Sequence, residues 1–122
     1  VELVKHLYEL LLQHGIQSRQ FYSQQRDIDK LNDDVVIATY KFAGAGFDMP
    51  SLSAAIIASP LAGKKSLIQV IGRIVRSHPN KPQPVVYDLI DTGFNGMFLN
   101  DIRRKESILA NEFNCQFTYI DF

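Results

Sequence analysis

Three side chains in the run QVIGRIVRS, residues 69 to 77, carry the chemistry that needs explaining. Gln69, Arg73 and Arg76 are spaced i, i+4 and i+7, so a helix through them sets all three on one face. The arginine side chain is a planar, permanently charged fork that matches phosphate oxygens. Two arginines one turn apart repel each other unless an anion lies between them. Gly72 stands beside them and removes a side chain, which leaves room for a close neighbour. The pattern therefore reads as a phosphate clamp or as a solvated basic edge.

A second stretch, ATYKFAGAGFDMP from 38 to 50, has the same double character. Gly44 and Gly46 let the backbone approach a ligand closely. Asp48, just past them, can accept hydrogen bonds from ribose hydroxyls. It can equally cap a tight turn. Other candidates fail on their own terms. GKKS at 63 to 66 resembles the end of a phosphate-binding loop, but Ala58 stands where that pattern needs glycine, and Lys65 where it needs serine or threonine. GAGFDM has Met49 in place of the third glycine of a dinucleotide fingerprint. His6, His14 and His78 have no metal-ligand spacing and are expected at the surface, so no metal site is expected. Arg103, Arg104 and Lys105 form a basic run that reads as a solvated face, with a nucleic-acid contact as the minority reading. Asp88 and Asp91 read as structural groups, or as partners that hold an arginine, rather than as an acid/base pair.

The elements that must position these residues alternate. Apolar side chains at Leu3, Val4, Leu7, Tyr8, Leu10, Leu11 and Leu12 predict a helix over 1–14, with Gly15 as its stop. RQFYS at 19 to 23 is a short strand, and the polar stretch 24–33 a loop. VVIAT at 35 to 39 and AAIIAS at 54 to 59 are apolar runs of strand length, expected to be buried on both faces. Residues 66–76 return to helical spacing, with Ser66 placed to cap the helix. PNKPQP at 79 to 84 is a stiff turn, and VVYDLI at 85 to 90 a strand. Residues 96–113 are an amphipathic helix with Met97, Phe98, Ile102, Ile108 and Leu109 on its apolar side. QFTYI at 116 to 120 is a last strand. Strands alternating with helices predict an α/β fold with a mainly parallel sheet flanked by helices. Ligands of such sheets sit beyond the carboxyl ends of the strands, where 38–50 lies.

The totals allow one domain with one core over the 122 residues. Thirteen basic residues balance thirteen acidic ones, so overall charge announces no polyanionic partner. The distribution does: no acidic residue lies between Asp48 and Asp88, whereas Lys64, Lys65, Arg73, Arg76 and Lys81 all do. Cys115 is the single cysteine, which excludes a disulfide framework and fits a reducing, cytoplasmic setting. No apolar run approaches the roughly 20 residues of a membrane span. The chain starts at Val1 directly in helical periodicity, and is expected to be a piece of something longer.

Taken together, these residues resemble the second, C-terminal RecA-like domain of a superfamily 2 helicase. ATYKFAGAGFDMPSL is similar to helicase motif V, and QVIGRIVR has the Q-x-x-G-R-x-x-R form of motif VI. The order of strand, motif V, strand with ASP, helix with motif VI and strand is the family's. The trailing VVYDLID looks like the segment after motif VI in phage branch-processing helicases and those of large cytoplasmic DNA viruses. The resemblance is firm from about residue 34 to 92. Thr39 stands one residue further from Gly46 and Asp48 than in the commonest DEAD-box form. No Walker A sequence and no DExx-type acidic motif, both features of the first RecA-like domain, occur in these residues.

The resemblance implies an ATP-dependent nucleic-acid helicase or translocase, most naturally acting on DNA. It implies that ATP and Mg²⁺ are held mainly by a first RecA-like domain. Arg76 is then the arginine finger, Arg73 its companion, and Gln69 a group near the phosphate. Gly46 and Asp48 fall on the ribose side, and Thr39, Tyr40 and Lys41 on the nucleic-acid backbone. By itself the chain is expected to be monomeric, to bind nucleotide and DNA weakly and to lack ATPase activity. Two other readings stand beside this one: a non-catalytic nucleic-acid-binding module, and an unrelated α/β domain for a phosphorylated metabolite.

Overall fold

The computed structural model describes residues 1–22, 35–41, 49–59, 63–90, 92–93 and 97–121, with the side chains of 97–99 excepted. They fall into two compact units, Val1–Met49 and Pro50–Phe122.

In the first unit, helix α1 spans Glu2–Gln13. Val4 is buried and Leu7, Tyr8 and Leu11 are half-buried, a stripe at helical spacing, while Leu3, Leu10 and Leu12 stay exposed. The helix ends at the expected glycine. Gly15 has φ +74°, a left-handed conformation that costs a residue without Cβ little. Strands β1 (Arg19–Phe21) and β2 (Val36–Ala38) pair in parallel, Arg19 opposite Val36 and Phe21 opposite Ala38. Helix α1 packs on both, and Phe21, 1% exposed, is the largest buried side chain among the described residues of the unit. All three residues of β2 are half-buried rather than buried. The loop expected at 24–33 lies outside the described residues.

The second unit opens with β3 (Ala54–Ile57), continues through α2 (Lys64–Ile74) to β4 (Val85–Asp88), and ends with α3 (Met97–Phe113). Strands β3 and β4 are parallel, with Ala54 opposite Val85 and Ile57 opposite Asp88. A helix joining two parallel strands is the elementary α/β unit. Helix α2 buries Leu67, Ile71 and Ile74, spaced i, i+4 and i+7, and packs against α3 and β4. Each of these side chains stabilises the fold by about 1.5–3 kcal/mol through loss of apolar surface from water.

The described residues thus form an α/β protein with parallel strand pairing, as expected. Four local expectations are corrected. Strand β3 is not buried on both faces. Alternation sends Ile57 inward and leaves Ile56 68% exposed, and its ladder neighbours Val85 and Tyr87 share that outer face. Helix α2 starts two residues before Ser66. Its N-cap is Gly63, at φ +98°, and no side chain caps it. The segment 116–120 is not a strand: it has no regular structure, and Phe117, Tyr119 and Ile120 are exposed. Helix α3 ends at Phe113, as expected, and Asn114 follows it with φ 51°. Lys105, expected on a solvated face, is buried.

Candidate functional site

Helix α2 carries two of the three residues of the basic motif, and their placement follows from its hydrophobic pattern. With Leu67, Ile71 and Ile74 turned inward, Gln69 is left exposed and Arg73 half-buried, one turn apart on the same outer side. The helix ends at Ile74, with Val75 as C-cap donating its N–H to the Ile71 carbonyl at 3.0 Å. Arg76 therefore does not complete the i, i+4, i+7 stripe. It follows the cap, exposed, in non-helical backbone. The last turn of a helix concentrates unpaired carbonyls and negative partial charge, so a cationic Arg73 is favoured there.

A residue that the spacing did not single out organises this end. Lys81 Nζ donates to the Ile74 carbonyl at 2.5 Å and to the Arg76 carbonyl at 2.6 Å. It is delivered by a reverse turn in which the Lys81 N–H reaches the His78 carbonyl at 3.2 Å. Pro79 presets the first central residue, and Asn80 takes φ 61° at the second, the signature of a type II turn. Burial and the neighbouring Arg76 charge hold the Lys81 ammonium below the ordinary lysine value. The stiff turn was legible in PNKP; the return of its lysine onto the preceding helix was not.

At the other end of α2, Lys64, Lys65, Ile68 and Gln69 line a shallow, open depression. Lys64 also faces Glu112 of α3 at 3.9 Å. Gly72 lies under the motif, half-buried. A Cβ built there meets only the Phe113 ring at 3.9 Å, an ordinary contact. Among the described residues, the neighbour at Gly72 is thus Phe113 of α3, in ordinary rather than tight contact.

At the carboxyl end of β4, Asp88 binds a lysine rather than an arginine. Lys105 Nζ donates to Asp88 Oδ2 at 2.8 Å and lies 3.2 Å from Asp101 Oδ2. Arg104 closes on the other oxygen of Asp101 at 2.7 Å. Burial opposes the charge on Lys105, but the Asp88 hydrogen bond and charge, reinforced by Asp101, outweigh it and raise its pKa. Burial likewise opposes ionisation of Asp101, yet its bonds to Arg104 and Lys105 lower its pKa. The Asp101–Lys105 spacing of i, i+4 was the available signal. Asp91 lies outside the described residues.

In the first unit, Thr39 follows β2 and donates its N–H to the Phe21 carbonyl at 3.2 Å, which extends the ladder by one bond. Thr39 and Tyr40 are half-buried and Lys41 is exposed, with Tyr40 and Lys41 already helical. Gly46 and Asp48, the expected ribose-side residues, lie outside the described residues. His6, His14 and His78 are exposed. Among the described residues, no three His, Cys, Asp or Glu side chains gather as metal ligands, and no helix is long and apolar enough to cross a membrane.

A parallel α/β unit whose connecting helix ends in clustered cations is an arrangement suited to anions. The chain matches no family profile. It is similar to viral proteins. A protein of Acanthamoeba polyphaga mimivirus, provisionally named an ATP-dependent RNA helicase, is 29% identical over 65% of this chain and 14% of its own length. The transcript termination protein of fowlpox virus is 24% identical over 80% of this chain and 20% of its own. A provisionally named helicase of Sulfolobus islandicus filamentous virus is 25% identical over 93% of this chain and 22% of its own. The chain thus spans about a fifth or less of the length of these relatives.

Proposed function

We propose that this chain is part of the ATP-driven motor of a nucleic-acid helicase or translocase, and that it acts as its second RecA-like domain. The observation that carries the proposal is the cationic end of α2. Gln69 and Arg73 lie on one outer side of the helix, and Arg76 follows its C-cap. Similarity to viral proteins named as helicases and as a transcript termination protein supports the same reading.

Phosphoryl transfer is governed by positioning and by stabilisation of charge on the transferred group. Arg76 serves as the arginine finger. Outside the helix its guanidinium is carried on backbone that can be set against a γ-phosphate held by another body. Arg73, anchored in the last helical turn, is the fixed companion charge, and Gln69 orients polar groups nearby. Gly46 and Asp48 contact the ribose side of ATP. Thr39, Tyr40 and Lys41 contact the nucleic-acid backbone, with DNA the favoured substrate. The first RecA-like domain would hold the Mg²⁺, which would supply charge neutralisation at the phosphates. Arginines that reach the phosphate only in a closed cleft couple hydrolysis to domain movement.

The test is nucleic-acid-stimulated ATP hydrolysis by the full-length protein, wild type against Arg76→Ala, with nucleotide affinity measured alongside. A finger supplied from a second body is worth roughly 10³- to 10⁵-fold in rate. Turnover should therefore fall by at least two orders of magnitude while nucleotide binding stays within a fewfold. Wild-type turnover in the variant rules out the finger role.

A further inference from the structure

We infer that Lys81 is a positioning residue for Arg76, acting by fixing the backbone on both sides of Val75. The inference rests on the motor reading above. Arg76 lies beyond the helix, so a guanidinium that must meet a phosphate cannot borrow its position from α2.

The structure shows what supplies that position. The Lys81 ammonium bonds the carbonyl of Ile74, the last helical residue, and the carbonyl of Arg76 itself. One cation thus staples both ends of a three-residue segment. The Ile74 carbonyl is among the group left unpaired at any helix end, so the bond also caps α2. Lys81 is itself placed by the His78–Lys81 turn, where Pro79 and the positive φ of Asn80 restrict the backbone. Burial first, and the Arg76 charge second, lower the Lys81 pKa. Lys81 touches only the backbone of residue 76 in these bonds, so it acts through Arg76 rather than on a phosphate.

The experiment is a double-mutant cycle on ATP turnover in the full-length protein, with Lys81→Met, Arg76→Ala and the pair. Lys81→Met should lower kcat about tenfold to a hundredfold, because misplacement of a catalytic group by about 1 Å has costs of that order. KM for ATP should stay within about twofold. In the Arg76→Ala background, whose residual turnover is read at high enzyme concentration, Lys81→Met should have no further effect. A merely structural lysine would lower both backgrounds by the same factor, and that result overturns the inference. So does unchanged kcat in Lys81→Met. Lys81→Gln, which keeps a donor but no charge, stands in if the methionine variant does not fold. Lys81→Cys in a Cys115→Ser background, alkylated to an aminoethyl thioether, restores the ammonium and should restore turnover; failure to do so also counts against the inference. Failure of the motor reading looks different: Arg76→Ala alone then retains wild-type turnover.

Discussion

At the scale of single residues, Lys105 is the buried charge among the described residues. Its side chain is 8% exposed and is held by Asp88 at the end of β4 and Asp101 one turn earlier on α3. Removing Lys105 takes its cation from Asp88 and leaves Asp101 with Arg104, and breaking a buried pair costs about 3–5 kcal/mol in a fully dry site. Both carboxylates are about a quarter exposed, so Lys105→Met should cost less, about 2 kcal/mol, read as a lower urea midpoint with unchanged slope. A midpoint equal to wild type would show the cluster to be indifferent. The pH dependence has two sides. Asp101, its pKa lowered, contributes stability that is present above the ordinary carboxylate value of 3.8 and lost as pH falls through its lower folded value. Lys105, its pKa raised, contributes stability that is present below 10.5 and lost as pH rises through its higher folded value. Asp101→Asn should flatten the acid limb of a urea-midpoint profile and leave neutral pH the better place to see Lys105. The basic run RRK read as solvated because composition cannot distinguish a lysine that faces water from one that faces two carboxylates. The i, i+4 spacing supplies Asp101, and only the fold brings Asp88, at the end of β4, to Lys105.

At the scale of elements, hydrophobic periodicity did well and chain ends did poorly. All three described helices and all four described strands were legible, because each has a period of its own: 67, 71, 74 in α2, and β-branched runs in β2 and β4. The start of α2 was not legible. Ser66 looked like a cap, but a glycine with positive φ lets the chain enter the helix two residues sooner. The last strand failed because β-propensity without a ladder partner does not make a strand. For the candidate site, the same limit moved Arg76 off the helix: spacing implies a common face only while the helix continues. Two glycines in or beside α2 separate backbone strain from crowding. Gly63→Ala should lower stability by about 1 kcal/mol although nothing lies within 4 Å of its Cβ, since φ +98° suits only glycine. Gly72→Ala should raise it by about 0.5–1 kcal/mol, because φ is ordinary there and alanine is the better helix former. Thermal unfolding of the two variants should shift in opposite directions; shifts of the same sign would refute the distinction.

At the scale of the whole molecule, the α/β class was legible from the alternation of elements, and the parallel pairing of both described ladders agrees with it. The extent of burial was not. Runs such as AAIIAS suggested strands covered on both sides, whereas the β3–β4 ladder keeps an apolar outer face of Ile56, Val85 and Tyr87. Ile56→Thr should therefore leave the unfolding midpoint almost unchanged and raise solubility in a precipitation assay, whereas Ile71→Ala, in the core, should cost about 2–5 kcal/mol. The motor reading also has a whole-molecule consequence: residues 1–122 alone should show no ATP turnover with or without DNA, and Mg²⁺-dependent hydrolysis by a clean preparation would count against it. The parallel register has a different consequence, in time rather than in energy. Ala54 cannot meet Val85 through a local hairpin. The whole of α2 and the turn after it must first be gathered between them. Closure of that loop waits for a collapsed α2, so Leu67→Ala and Ile71→Ala should slow refolding as well as hasten unfolding, whereas changes on the outer face of the ladder should leave both arms of the chevron where they are.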